Sequence, residues 1–175
     1  MDVHLAVASK RDVRAYSEEA IPGDAEWRIL DAGRLAGSAR NRQPCRFVVA
    51  EGDARAAVAR AVYAPGNVLG APLVVTIVVT PGGGLVDFDA GRAAQNMMLA
   101  AWADGIASCP NGIADPEALR RALGLQEPER PVVALAFGRP PVARDAGRRS
   151  AEEWSSRARR IPLEQLVRRA GSPPA

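Results

Sequence analysis

Three stretches of this chain hold residues whose types and spacing could do chemistry. Gly37-Ser38-Ala39-Arg40-Asn41-Arg42-Gln43-Pro44 sets two guanidinium groups among turn-forming residues, a pattern that suits a loop leaving a helix. With the loop's backbone N–H groups, Arg40 and Arg42 could grip a phosphate or an anionic ring edge. If that loop is extended, the two arginines face opposite ways. Lys10-Arg11-Asp12-Val13-Arg14-Ala15-Tyr16 puts three cations within five positions, with Asp12 placed to orient a neighbouring arginine. Pro110-Asn111-Gly112 reads as a turn whose N–H groups could face a ligand. Each stretch also has a plainer reading: a solvated helix–strand connection, a solvated helix end and an ordinary turn asparagine. Arginine is the default cation, because Lys10 is the sole lysine among 23 basic residues. A single arginine therefore says little, and only clusters count.

Other chemistries find little support. His4 is the one histidine, which argues against a histidine-based metal site or a Ser-His-Asp triad. Cys45 and Cys109 are far apart and neither lies in a CxxC, so a structural disulfide and a zinc knuckle are both poor readings. The net charge of +3 and the aromatic share of 5% argue against a nucleic-acid partner. No leader pattern precedes the first charges and no apolar run is long enough to span a membrane, so the expectation is a cytoplasmic protein with no membrane association.

The elements that must position these residues follow from periodicity. Met1–Ser9 reads as a short helix with Val3 and Val7 on one side, and Asp24–Ala36 as an amphipathic helix that delivers the chain to the 37–44 loop. Phe47–Ala50 is a strand and Asp53–Val62 a helix broken at Pro65-Gly66-Asn67. Leu73–Val79 is β-branched and continuously apolar, the mark of a strand buried on both faces. Asp87–Gly105 is the longest helical pattern. Its stripe of Phe88, Gly91, Ala94, Met98, Ala101 and Gly105 suits either a subunit interface or the core. Asp115-Pro116-Glu117 starts a helix, 131–137 is a second buried strand, and 142–159 reads as a mobile or partner-draped polar segment. A last helix starts at Pro162, and Gly171–Ala175 is a tail. Alternating strands and helices at 175 residues give one domain, residues 1–175, of α/β or α+β class around a small sheet.

In this order, the stretches resemble the FMN-dependent nitroreductase family. Lys10 to Tyr16 resembles its basic opening Arg-Arg-Ser-x-Arg-x-Phe/Tyr. Ser38 to Phe47 resembles its Ser-x-x-Asn-x-Gln-Pro-Trp-x-Phe, and Asp89 to Ala101 its long central helix, followed by Gly105-Ile106-Ala107 in place of Gly-Leu-Gly. Ala136-Phe137-Gly138-Arg139-Pro140 resembles the strand ending Gly-Tyr-Pro, and Arg160-Ile161-Pro162-Leu163-Glu164 the closing Arg-x-Pro-Leu-Glu. Two positions depart: Asp12 stands where the family has Ser, and Cys45 where it has Trp. An aspartate beside a phosphate repels it unless turned toward Arg11 or Arg14.

The resemblance implies an α+β fold, a three-layer α/β/α sandwich around a mixed, mainly antiparallel sheet. It implies a homodimer that binds FMN and uses NAD(P)H to reduce small electron-poor acceptors, nitroaromatics or quinones, by a ping-pong scheme. Lys10, Arg11 and Arg160 would hold the FMN phosphate, and Arg14 would lie near the pyrimidine edge of the ring. Ser38, Arg40 and Asn41 would come from the second subunit. Pro110, Asn111 and Gly112 would offer a backbone N–H to the ring nitrogen that exchanges hydride. The cofactor would carry the chemistry, so no catalytic side chain is expected. A flavoenzyme of the same fold with another reaction, dehydrogenation or dehalogenation, and a non-catalytic flavin-binding protein remain alternatives.

Overall fold

β2 (Leu73–Val79) has all seven of its residues buried, and its Leu, Val and Ile side chains suit a pleated surface covered on both sides. It pairs antiparallel with β1 (Cys45–Val49) and with β4 (Arg130–Gly138), and β3 (Ala107–Asn111) pairs antiparallel with β4. The strand order is β1-β2-β4-β3, so β1 and β3 are the edges. The structure, a computed structural model, describes residues 1–171. The tail expected at 171–175 lies, after Gly171, outside the described residues.

In chain order the helices are α1 (Val3–Ser9), α2 (Gly23–Arg34), α3 (Gly52–Arg60), α4 (Pro65–Leu69), α5 (Val86–Ala103), α6 (Pro116–Ala122), α7 (Ala151–Arg157) and α8 (Leu163–Leu166). They fall into two compact units, one of residues 10–145 and one of residues 1–9 with the chain from 146 onward.

In the larger unit, strand periodicity sorts side chains into two cores. Leu73, Val75, Ile77 and Val79 join Leu135 and Phe137 on the face covered by α2 and α5. Val74, Ala134 and Ala136 face the other way, against Val58 of α3, Val68 of α4 and Leu119 of α6. Helices thus cover both faces of an antiparallel sheet, an α+β sandwich of three layers. Among the described residues the parallel pairing is the isolated bridge between Asp12 and Ser108. Ile29, Ile77, Leu135 and Phe137 are fully buried, and each such side chain contributes about 1.5–3 kcal/mol.

α5 runs through this core, with its buried face set differently from the expected stripe. Ala90, Ala93, Ala94, Met97, Met98 and Ala101 point inward, while Phe88 and Gly91 are exposed. Alanines on adjoining faces made the stripe ambiguous, and packing against α2 selects one of them. Gly33 permits that approach, since a Cβ there would run into the Met97 side chain of α5 and lie 2.9 Å from the Phe47 ring of β1.

In the smaller unit α1 packs against α7. Ala6 and Ser9 form its buried side, while Val3 and Val7 are exposed, contrary to the expected stripe. The segment read as mobile is helical at 151–157. A capping box between Ser150 and Glu153 starts α7. The Trp154 indole donates to the Ala146 carbonyl at 2.8 Å, and the Arg149 guanidinium lies 4.9 Å from its ring centre.

Candidate active site

The basic opening stretch forms no helix. Its backbone runs along the free edge of β3, where Val13 N–H donates to the Ser108 carbonyl at 3.1 Å. The Tyr16 hydroxyl donates to the Ala136 carbonyl at 3.2 Å. Burial first, then the neighbouring Cys109 and Asp12, hold its pKa well above the ordinary phenol value, so it stays a neutral donor. Asp12 turns to Lys10 rather than to an arginine, in an ion pair whose lysine side chain is only 10% exposed. That correction removes the expected repulsion: the aspartate charge is spent on Lys10, whose Nζ also lies 3.5 Å from the Met98 sulfur. Arg11 donates from Nη1 to the Lys10 carbonyl at 2.8 Å. Arg14, by contrast, is exposed and makes no ion pair among the described residues.

Arg14 stands between two hollows. One, of about 220 Å³, brings it together with Asn67, Pro110, Asn111 and Gly112. The other, of about 590 Å³, is lined by Arg14 with Pro140, Pro141 and Arg144. Arg14 and the 110–112 stretch, nearly a hundred residues apart in sequence, thus share one cleft.

Pro110 and Asn111 are not a turn; they end strand β3. The segment lacks β-branched residues, and pairing with β4 overrides its turn propensity. This changes which N–H is available. Pro110 has none. Asn111 lies opposite Ala134, so strand alternation turns its backbone toward β4. Gly112 faces outward, where its carbonyl accepts from Tyr63 N–H at 3.1 Å. Gly112 is therefore the donor of the three that can serve the cleft. A Cβ there would lie 3.2 Å from the Tyr63 ring, a tight contact that the exposed ring would have to relieve by shifting slightly.

The 37–44 loop is a tight turn, and the alternation expected of an extended loop does not apply. Arg40, Asn41 and Gln43 adopt positive φ of 53°, 55° and 49°. Such backbone costs L-residues about 1–2 kcal/mol each and clusters at functional sites. Three contacts hold the turn. Gln43 N–H donates to Ser38 Oγ at 2.8 Å, Ala39 N–H donates to Asp89 Oδ2 at 3.1 Å, and Arg42 Nη1 donates to the Gly82 carbonyl at 2.6 Å. The Ser38 hydroxyl keeps its own proton to donate, and Arg40 and Asn41 are exposed. Arg40, Arg42 and Arg46 line a cavity of about 550 Å³ closed by the Gly82–Gly84 turn.

The proposed ligands thus form two groups. Lys10, Arg11, Arg14 and 110–112 lie at the β3 edge, whereas Ser38, Arg40 and Asn41 precede β1, the opposite edge. Three strand spacings separate those edges, about 14 Å. Arg160 belongs to the smaller unit, where it is exposed ahead of α8. Two contributors were missed from sequence. Asn67 stands in the Pro65-Gly66-Asn67 break, and its place in the cleft depends on a contact 44 residues away. Asp89, with a side chain 5% exposed, had only its alignment with the buried alanines of α5 to mark it.

Among the described residues no group of three or more His, Cys, Asp or Glu could hold a metal ion, and no helix is long and apolar enough to cross a membrane. The model of the nitroreductase family matches residues 7–80 and 84–139. A nitroreductase family protein from Clostridium difficile 630 superposes with a TM-score of 0.82 at 23% identity, covering 98% of this chain and 100% of that one. A structure from Desulfovibrio desulfuricans that holds FMN superposes with a TM-score of 0.78 at 28% identity, covering 99% of each chain. A protein from Bacteroides thetaiotaomicron, named for NADH dehydrogenase or NAD(P)H nitroreductase activity, superposes at 0.76 with 22% identity, covering 83% of this chain and 90% of that one.

Proposed function

The chain belongs to the nitroreductase family, and from that premise we propose that it is an FMN-dependent oxidoreductase that draws electrons from NAD(P)H and passes them to electron-poor small molecules such as nitroaromatics or quinones. The observation that carries this reading is the cleft shared by Arg14, Asn67 and Gly112. A cation, an amide and a glycine N–H lining one hollow match the polar edge of a flavin ring. The FMN in the Desulfovibrio relative supports the same reading.

A bound flavin supplies the electron and hydride chemistry; the chain's own residues hold and orient it. Arg14 would stabilise negative charge on the pyrimidine edge. Gly112 N–H would donate to the ring nitrogen that exchanges hydride. By the family resemblance Arg11 would hold the phosphate as a charge-assisted donor, with Lys10 also neutralising Asp12 beside it, and Arg160 is a further candidate for that role. Ser38, Arg40 and Asn41 come from a second copy, because within one chain they lie at the other edge of the sheet. Residues 1–175 then act as one flavin-binding domain in a homodimer with a site at each of two equivalent positions. The donor and the acceptor use the same open face in turn, which is a ping-pong scheme.

The test is spectroscopic. The reconstituted protein should take up FMN and lose its visible absorbance anaerobically on addition of NADH or NADPH. Adding a nitroaromatic or a quinone should restore the absorbance, and initial-rate plots should give parallel lines. A protein that takes up no FMN, or whose bound FMN neither nicotinamide bleaches, is not this enzyme.

A further inference from the structure

We propose that Asn111 is a positioning residue that fixes the amide of Asn67 with its carbonyl toward the cleft, so that the site selects a ligand edge bearing an N–H donor. The inference rests on reading the cleft as the flavin site, and it follows from a chain of hydrogen bonds whose direction cannot be reversed. The Asn111 side chain is buried, at 3% exposure. Its Nδ2 lies 3.0 Å from the Cys109 carbonyl and 3.3 Å from the Ala134 carbonyl. Both partners are acceptors only, so the nitrogen must face them; turning the amide over would set oxygen against two oxygens. Asn111 Oδ1 is therefore committed to accept.

The group that faces it, at 2.9 Å, is Asn67 Nδ2. The same nitrogen also lies 3.9 Å from Cys109 Sγ. With its nitrogen drawn inward, Asn67 has its Oδ1 on the opposite side, and that oxygen accepts from no group among the described residues. Asn67 and Arg14 line the same hollow. The wall so formed offers an acceptor and a cation side by side. Its complement is a carbonyl next to an N–H, the imide edge of a flavin pyrimidine ring: the carbonyl faces Arg14 and the N–H faces Asn67. An amide free to turn over would accept either polarity. One held by Asn111 does not, because reorienting it would leave Asn111 Oδ1 buried and unpaired.

The readout is a ratio of affinities, which a general loss of stability does not move. FMN and its analogue methylated on the imide nitrogen are titrated into the apoprotein. The wild type should bind FMN at least about tenfold more tightly than the analogue. Asn111→Leu should shrink that ratio to less than about threefold, because Asn67 is then free to turn. Adding Asn67→Asp in that background should restore discrimination, since a carboxylate accepts from either side. Where Asn111→Leu does not fold, Asn111→Ser, which keeps a polar group against the Cys109 and Ala134 carbonyls but loses the amide oxygen that holds Asn67, should shrink the ratio in the same way. A wild-type ratio near one, or a ratio unchanged in the available variant, overturns the inference while leaving the flavin reading intact. Failure of the wild type to bind FMN overturns both.

Discussion

Asp89 Oδ2, on the first turn of α5, accepts the backbone N–H of Ala39 at 3.1 Å across 50 residues of sequence. The carboxylate is nearly sealed, and Arg92 lies 3.8 Å away on the same helix. The bond ties the strained 38–43 turn to the longest helix of the core. An ionised acceptor of this kind contributes about 1.5–3 kcal/mol. Asp89→Ala should lower stability by about that amount in urea unfolding, and Asp89→Asn, which keeps an oxygen in place, by less than half as much. Equal losses for the two variants would show that charge rather than the acceptor matters.

Asp89 also bears on the thiol at the start of β1. Burial, with the Asp89 charge as a second contribution, raises the Cys45 pKa above its ordinary value, and Arg46 only partly opposes this. The thiolate should therefore form at higher pH than in a free cysteine, whose pKa is about 8.5. Alkylation of Cys45 followed by mass spectrometry should show half-maximal rate above that pH. Asp89→Asn should move the profile downward. A Cys45 that reacts like a free cysteine would mean that β1 is more open than its packing indicates.

Arg14 and Arg160 should fail differently when truncated. Arg14 borders the cleft that holds Asn67 and Gly112, and under the proposed function its charge would act on the reacting ring. Arg160 is assigned to the phosphate, a group that takes no part in electron transfer. Arg14→Ala should therefore lower the rate of flavin reduction more than FMN affinity. Arg160→Ala should weaken FMN binding by about 1.5–3 kcal/mol with little change in reduction rate once saturated. Stopped-flow reduction alongside fluorescence titration separates the two, and matching effects in both measurements would undo the assignment.

How far the sequence reached can be judged element by element. Leu73–Val79 was readable to the residue because an unbroken β-branched run has few other homes. β3 was not, because Ser108-Cys109-Pro110-Asn111 carries turn-forming residues and becomes a strand through its neighbour β4. The pairing of Arg14 with the 110–112 stretch came from family likeness, since nothing local to either segment points to the other. Asn67 was hidden for a related reason. Its role is set by Asn111, a contact that exists only once α4 lies over the sheet. The left-handed backbone at Arg40 was also illegible, because arginine, unlike the neighbouring Asn41, carries no preference for it and Asp89 supplies the tether.

The placement of Arg14 and Asn41 near opposite edges of one sheet leads to the sharpest test of the composite site. Suppose each site takes Arg14 from one chain and Asn41 from its partner. A mixed dimer of Arg14→Ala and Asn41→Ala chains then contains one site with both substitutions and one with neither. Each variant alone carries a lesion in every site and should lose about tenfold or more in turnover, the cost of a hydrogen bond to a charged or buried group. Random reassortment of the two variants makes half of the dimers mixed, so about a quarter of all sites become intact. Activity should rise on co-refolding to about a quarter of wild type, well above either parent. If both residues instead served a site within one chain, every site would keep a lesion and mixing would recover nothing. The experiment needs only a turnover assay and two tagged variants, and it distinguishes a shared site from a self-contained one without reference to how tightly the chains associate.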